Sequence, residues 1–141
     1  MKYVLALAAF AALAGHSAAA SANELVIGLG RSDYSDNHAE NRLFGAVEYH
    51  ASPFATYRGF DFGLGGIGQW GSGGSYFLGG GLVVTRNLGE RWFVEFSEMP
   101  GVYHAGDNDH DLGQDLEFRS QLALGYHLNE DWSASAAVAH I

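Results

Sequence analysis

The chain has 141 residues, no cysteine, and sixteen Asp and Glu against seven Lys and Arg, giving a net charge of −9 with histidine neutral. That length leaves room for one domain. Without cysteine there is neither a disulfide framework nor a thiolate metal site, and the acidic balance lacks the basic footprint that a nucleic-acid partner requires.

The first 22 residues read as a secretory signal peptide. Lys2 supplies one positive charge, Val4 to Ala14 is an apolar run too short to span a bilayer as a helix, and Ala20-Ser21-Ala22 offers small residues for cleavage before Asn23. The domain proper is then 23–141. It loses Lys2 and no acid, so its net charge moves from −9 to −10. An exported domain of this size without disulfides needs another source of stability, and a closed sheet in a membrane provides one.

From residue 23 onward the apolar pattern has period 2 and nowhere a helical period. Seven segments read as strands, near 24–31, 42–50, 57–70, 75–86, 91–103, 115–128 and 131–141. In the third, Phe60, Phe62 and Leu64 alternate with Asp61, Gly63 and Gly65. In the sixth, Leu116, Phe118, Ser120, Leu122, Leu124 and Tyr126 share one face, and Glu117, Arg119, Gln121, Ala123, Gly125 and His127 share the other. Glycines cluster inside the apolar stretches, where they mark bends or close backbone approach. The connections alternate between short turns, such as 87–90 and 129–131, and longer polar loops at 32–41 and over the acidic stretch 98–114. Short turns at one end and long loops at the other are the habit of outer-membrane barrels. Trp70, Tyr76, Trp92, Tyr103 and Trp132, near strand ends, suit interfacial girdles.

Single-chain bacterial barrels have an even number of strands from eight upward, and a sheet of seven leaves two unpaired edges in hydrocarbon. The expected fold is therefore all-β, an eight-stranded antiparallel outer-membrane β-barrel whose last strand is missing from this chain. In the seventh segment Trp132, Ala134, Ala136 and Val138 share a face, and the next member of that face is His140. With the N-terminus periplasmic, eight residues of strand tilted by about 40° rise roughly 20 Å of an apolar band about 25 Å tall. His140 is thereby expected near the outer-leaflet interface on the lipid-facing wall, where an ionisable side chain is costly and points to function.

The stretch Glu117-Phe118-Arg119-Ser120-Gln121-Leu122-Ala123-Leu124-Gly125-Tyr126, followed by a turn, a Trp-led strand and Ala139-His140-Ile141, resembles the lipid A deacylase family (PagL type, acyloxyacyl hydrolase). The resemblance is specific over 115–141. It implies a hydrolase that removes an ester-linked acyl chain from lipid A, with lipopolysaccharide as substrate, the outer membrane as location and no cofactor. A homodimer is compatible with it. The family motif is His-x-Ser-Asn, the serine acting as nucleophile, the histidine as its base, and a glutamate farther on orienting the histidine. His140 and Ile141 match the first two positions. The serine falls on the next residue, which these 141 do not contain, and the glutamate beyond it, so these residues alone are expected to be inactive. Residues two apart in a strand project side by side, which lets an imidazole reach a serine hydroxyl.

Other constellations point less clearly to chemistry. His104, Asp107, Asp109, His110 and Asp111 have the donors for a divalent cation, but a solvated acidic loop accounts for them. Ser32, Asp33, Asp36 and His38 hold the ingredients of a triad in a loop of ordinary composition. Glu95, Glu117, Arg119 and Gln121 face inward and are expected to form a polar network that fills a narrow interior without a pore. The alternative function is a non-catalytic barrel with a structural or adhesive role in which His140 is incidental. A soluble periplasmic barrel is disfavoured by Phe60, Phe62, Leu122 and Leu124 on the outward faces.

Overall fold

The computed structural model describes residues 5–13, 23–33, 42–104, 106 and 115–141. Among them there is no helix. Nine strands form one antiparallel sheet: β1 (Leu5–Leu13), β2 (Glu24–Asp33), β3 (Arg42–His50), β4 (Ala55–Tyr57), β5 (Phe60–Gly71), β6 (Tyr76–Leu88), β7 (Trp92–His104), β8 (Asp115–His127) and β9 (Trp132–His140). Six of the seven segments read from the sequence match an observed strand to within a few residues. The third divides: the chain reverses at Arg58 (φ 50°) and Gly59 (φ 80°), so β4 is a short arm folded onto β5. Two consecutive residues at positive φ make the tight hairpin turn whose twist suits flanking strands. Strand β7 also continues to His104, so Glu98 lies within a strand and not in the acidic loop.

The sheet order is β3-β2-β1-β9-β8-β7-β6-β5-β4, with β3 also paired to β5. Eight strands therefore join in a ring, from which β4 projects. Without β1, the other seven make an open curled sheet with unpaired edges at β2 and β9. The segment that bridges those edges is Leu5–Leu13, within the residues read as a signal peptide. It runs antiparallel to both, with Leu13 opposite Leu25 and Trp132. A run of alanine and leucine satisfies the backbone groups of two open edges at once, which explains why it takes strand form.

The two faces of the wall separate as the alternation dictates. Inward side chains fill the lumen: Val26, Phe44, Ile67, Phe77, Val83 and Met99 belong to one buried cluster, and Arg119, Glu48 and Ser97 are buried with them. A lumen packed this way is a core and holds no channel. Glycine makes the packing fit. A Cβ on Gly125 would stand 2.0 Å from the Phe93 ring, so that ring can lie over bare backbone and stack on His127. Outward, Leu29, Leu64, Leu78, Leu116, Phe118 and Leu122 are all more than half exposed. An apolar belt of that extent is far more than a soluble monomer tolerates and suits a lipid surround. Trp70, Trp92 and Trp132 are exposed, as girdle residues would be. Tyr103 instead packs against the interior cluster, and Tyr76 stacks on His104 with ring centroids 5.1 Å apart.

The turns at the end where β9 begins are tightly specified. Asn129 Oδ1 accepts from the backbone N–H of Asp131 and of Trp132, each at 2.9 Å, while Leu128 N–H donates to Trp132 O at 2.8 Å. This fixes the register of β9 on β8, and with it the position of His140.

Candidate functional site

His140 is the last residue of β9. Its side chain is exposed, on the same outward face as Trp132 and Val138. Ile141 turns the other way and packs against the interior cluster. The inward-outward alternation thus holds through the end of the strand.

The pairing of β9 on β8 sets Ser120 directly opposite His140, and the pairing of β8 on β7 sets Glu98 directly opposite Ser120. Ser120 Oγ donates to Glu98 Oε2 at 2.5 Å. Three polar side chains from three adjacent strands therefore form one line across the outer wall, perpendicular to the strands. On either side of Ser120 the outward residues of β8 are Phe118 and Leu122, both exposed and apolar. Side chains directly opposed in an antiparallel pair hold their Cβ atoms about 4.5–5.5 Å apart. With its own hydrogen given to Glu98, the Ser120 oxygen keeps lone pairs that can accept from an imidazole N–H.

Sequence reasoning isolated His140 and missed its two neighbours. Ser120 was visible as a polar interruption of an apolar face. Its relation to His140 depends on hairpin register, which a turn such as Asn129-Glu130-Asp131 fixes only once its hydrogen bonds are known.

A second group of polar residues occupies the lumen. Arg119 Nη2 lies 3.2 Å from Glu48 Oε1 and donates to Gln121 Oε1 at 2.5 Å. His50 Nε2 lies 3.0 Å from Glu48 Oε2. Glu95 Oε2 accepts from Thr85 Oγ1 at 3.4 Å. Of the residues expected inside, Glu95, Arg119 and Gln121 are buried there, and Glu117, two residues before Arg119, is half-buried. Glu48 and His50 join them, unanticipated because Glu48-Tyr49-His50 looks like the polar end of a strand.

The remaining candidates lie in part outside the described residues. His104 ends β7 against Tyr76, and residues 107–114 with the rest of the proposed cation donors lie outside the described residues. Ser32 and Asp33 end β2, while Asp36 and His38 also lie outside them.

An antiparallel barrel with an apolar outer belt and a packed lumen defines an outer-membrane protein. A family model described as lipid A 3-O-deacylase (PagL) matches residues 27–141. The chain belongs to that family, whose members act on lipid A in the outer membrane. No curated protein and no solved structure matches the chain.

Proposed function

We propose that this protein removes an ester-linked acyl chain from lipid A by a Ser-His-Glu mechanism in which His140 is the general base. Membership of the lipid A 3-O-deacylase family supports the activity. The observation that carries the assignment of His140 is its exposed position on the lipid-facing wall, in line with Ser120 and Glu98. Three adjacent polar side chains facing hydrocarbon are costly unless the polar part of a substrate meets them there.

In the family motif the nucleophilic serine follows Ile141. Since His140 faces out and Ile141 in, that next position faces out again, beside the imidazole. The imidazole takes the serine proton as the oxygen attacks the ester carbonyl, then returns a proton to the departing glucosamine oxygen. Water hydrolyses the acyl-serine by the same route in reverse, releasing a fatty acid. A glutamate farther on orients the ring. Ser120, backed by Glu98, is a further restraint on the imidazole from the neighbouring strand, a positioning role. Lipid A lies in the outer leaflet, and the outward row meets it from within the membrane plane.

Residues 1–22 are a signal peptide in this reading, removed before Asn23. The edges of β2 and β9 then require a partner other than Leu5–Leu13. Two measurements test the proposal. Mass spectrometry of lipid A from cells making the 141 residues extended through the family's serine and glutamate should show loss of one ester-linked acyl chain. Cells making only the 141 residues should show none. N-terminal sequencing of the barrel from outer membranes should begin at Asn23; a start at Met1 would make Leu5–Leu13 a permanent wall strand and discard the leader. Unchanged lipid A with the extended chain would favour the structural or adhesive barrel.

A further inference from the structure

We propose that the lumen holds a divalent cation of the first transition series, bound by Glu24, His50 and Glu95. Glu24 is the first residue of β2, His50 the last of β3, and Glu95 the fourth of β7. The three therefore converge from separate strands at the end of the barrel that carries the short turns. His50 Nδ1 stands 3.7 Å from Glu24 Oε2 and 3.6 Å from Glu95 Oε2, and one donor atom from each of the three residues lies within 4.8 Å of the others.

The His50 ring explains why this cluster differs from an ordinary buried ion pair. Its Nε2 is engaged by Glu48 at 3.0 Å, whereas its Nδ1 is buried with no hydrogen-bond partner. At 3.6 and 3.7 Å the carboxylates are beyond good hydrogen-bond length. If Nδ1 carries a proton, it meets the two carboxylates only as ion pairs at 3.6 and 3.7 Å without a hydrogen bond; if it does not, a lone pair faces two anionic oxygens. Either state is unsatisfied, and a cation between the three resolves both. Donors each about 2.1 Å from one ion stand about 3.6 Å apart when the angle between them is about 120°, which is close to the separation of His50 Nδ1 from each carboxylate oxygen.

The surroundings fit the same occupant. A ligating histidine characteristically gives its other N–H to a carboxylate, which fixes its tautomer, and Glu48 stands in that place with Arg119 behind it. Glu24, Glu48 and Glu95 bring three negative charges against the single positive charge of Arg119, so a divalent ion with neutral His50 closes the balance. One imidazole and two carboxylates suit zinc, manganese or cobalt better than a hard ion held by oxygen alone. Gly65 makes room for the ring, because a Cβ there would stand 3.1 Å from His50 Cδ2. Glu24, with its side chain 27% exposed, leaves a route of entry from the barrel end. The bound ion would tie β2 and β3 to β7 across the lumen, away from the outward row.

The test is a titration of the purified full chain, folded in detergent, with Co2+ followed by its visible absorption and with Zn2+ followed by the thermal midpoint. One equivalent of Co2+ per barrel should give a saturable spectrum that Zn2+ displaces, and Zn2+ should raise the midpoint. His50→Ala should abolish the spectrum. Glu24→Gln, at a half-exposed strand end where folding is not at stake, should weaken Co2+ binding at least tenfold. His140→Asn should leave it unchanged. No saturable absorption in the folded protein, or equal binding by the Glu24→Gln and His50→Ala variants, overturns the proposal and leaves His50 as a protonated partner of the carboxylates.

Discussion

The wall of this barrel carries polar side chains on both faces, and the two sets are built by opposite rules. Inside, Arg119, Glu48, His50 and Gln121 are buried in mutual contact, with Arg119 and His50 both set against Glu48. Outside, Glu98, Ser120 and His140 form a single line, and His140 at its end is exposed. The inner set replaces much of the water that these groups lose, although His50 Nδ1 and Arg119 Nε and Nη1 make no hydrogen bond among the described residues, and its members cannot be removed singly without stranding a partner. The outer set interrupts an apolar belt and has no such closure. A polar group that completes a core is explained by the fold; under the proposed function, the row placed against lipid is there to meet a substrate.

The two faces should respond oppositely to substitution. His140→Asn, in a chain carrying the family's serine and glutamate, should lower deacylation by about 10²–10⁴-fold, the range for loss of a positioned general base, while its unfolding midpoint stays put. Lipid A mass spectrometry and urea unfolding read the two halves of that statement. Arg119→Met should do the reverse, costing about 3–5 kcal/mol of stability through the stranded Glu48 carboxylate, seen as a lower urea midpoint. Gly65→Ala sharpens the inner side: its Cβ would stand 2.8 Å from Val83 Cγ2 and 3.1 Å from His50 Cδ2. Overpacking of that kind costs about 1–3 kcal/mol. Glu98→Gln should have the smallest effect. It keeps an acceptor for Ser120 and removes only the charge, so deacylation should fall a few-fold with no change in stability, and Ser120→Ala should fall further.

How much of this was legible in the sequence divides along the same line. The alternation that puts Leu122 outside and Gln121 inside is a property of single strands, and it placed seven strands and the face of His140 without reference to any neighbour. What lay across strands was not legible. That Ser120 opposes His140, and Glu98 opposes Ser120, depends on two hairpin registers, and a shift of one residue in either would dissolve the row. Glu24 and His50 are partners in the β2–β3 register, and Glu95 of β7 reaches them only because the sheet curls. The Arg58-Gly59 reversal was hidden because Arg58 is an unusual residue for positive φ. Leu5–Leu13 shows a different limit. A short run of alanine and leucine has the composition of an export leader and equally the capacity to pair with two open edges, so composition alone does not choose between those fates.

The most direct test of the separation between the faces is the rate of lipid A deacylation per folded barrel, measured side by side for His140→Asn and Arg119→Met in the chain that includes the serine and glutamate. The first should lose activity although fully folded, and the second, counted only over its folded fraction, should keep it. Activity retained by folded His140→Asn, or lost from folded Arg119→Met, would contradict that separation.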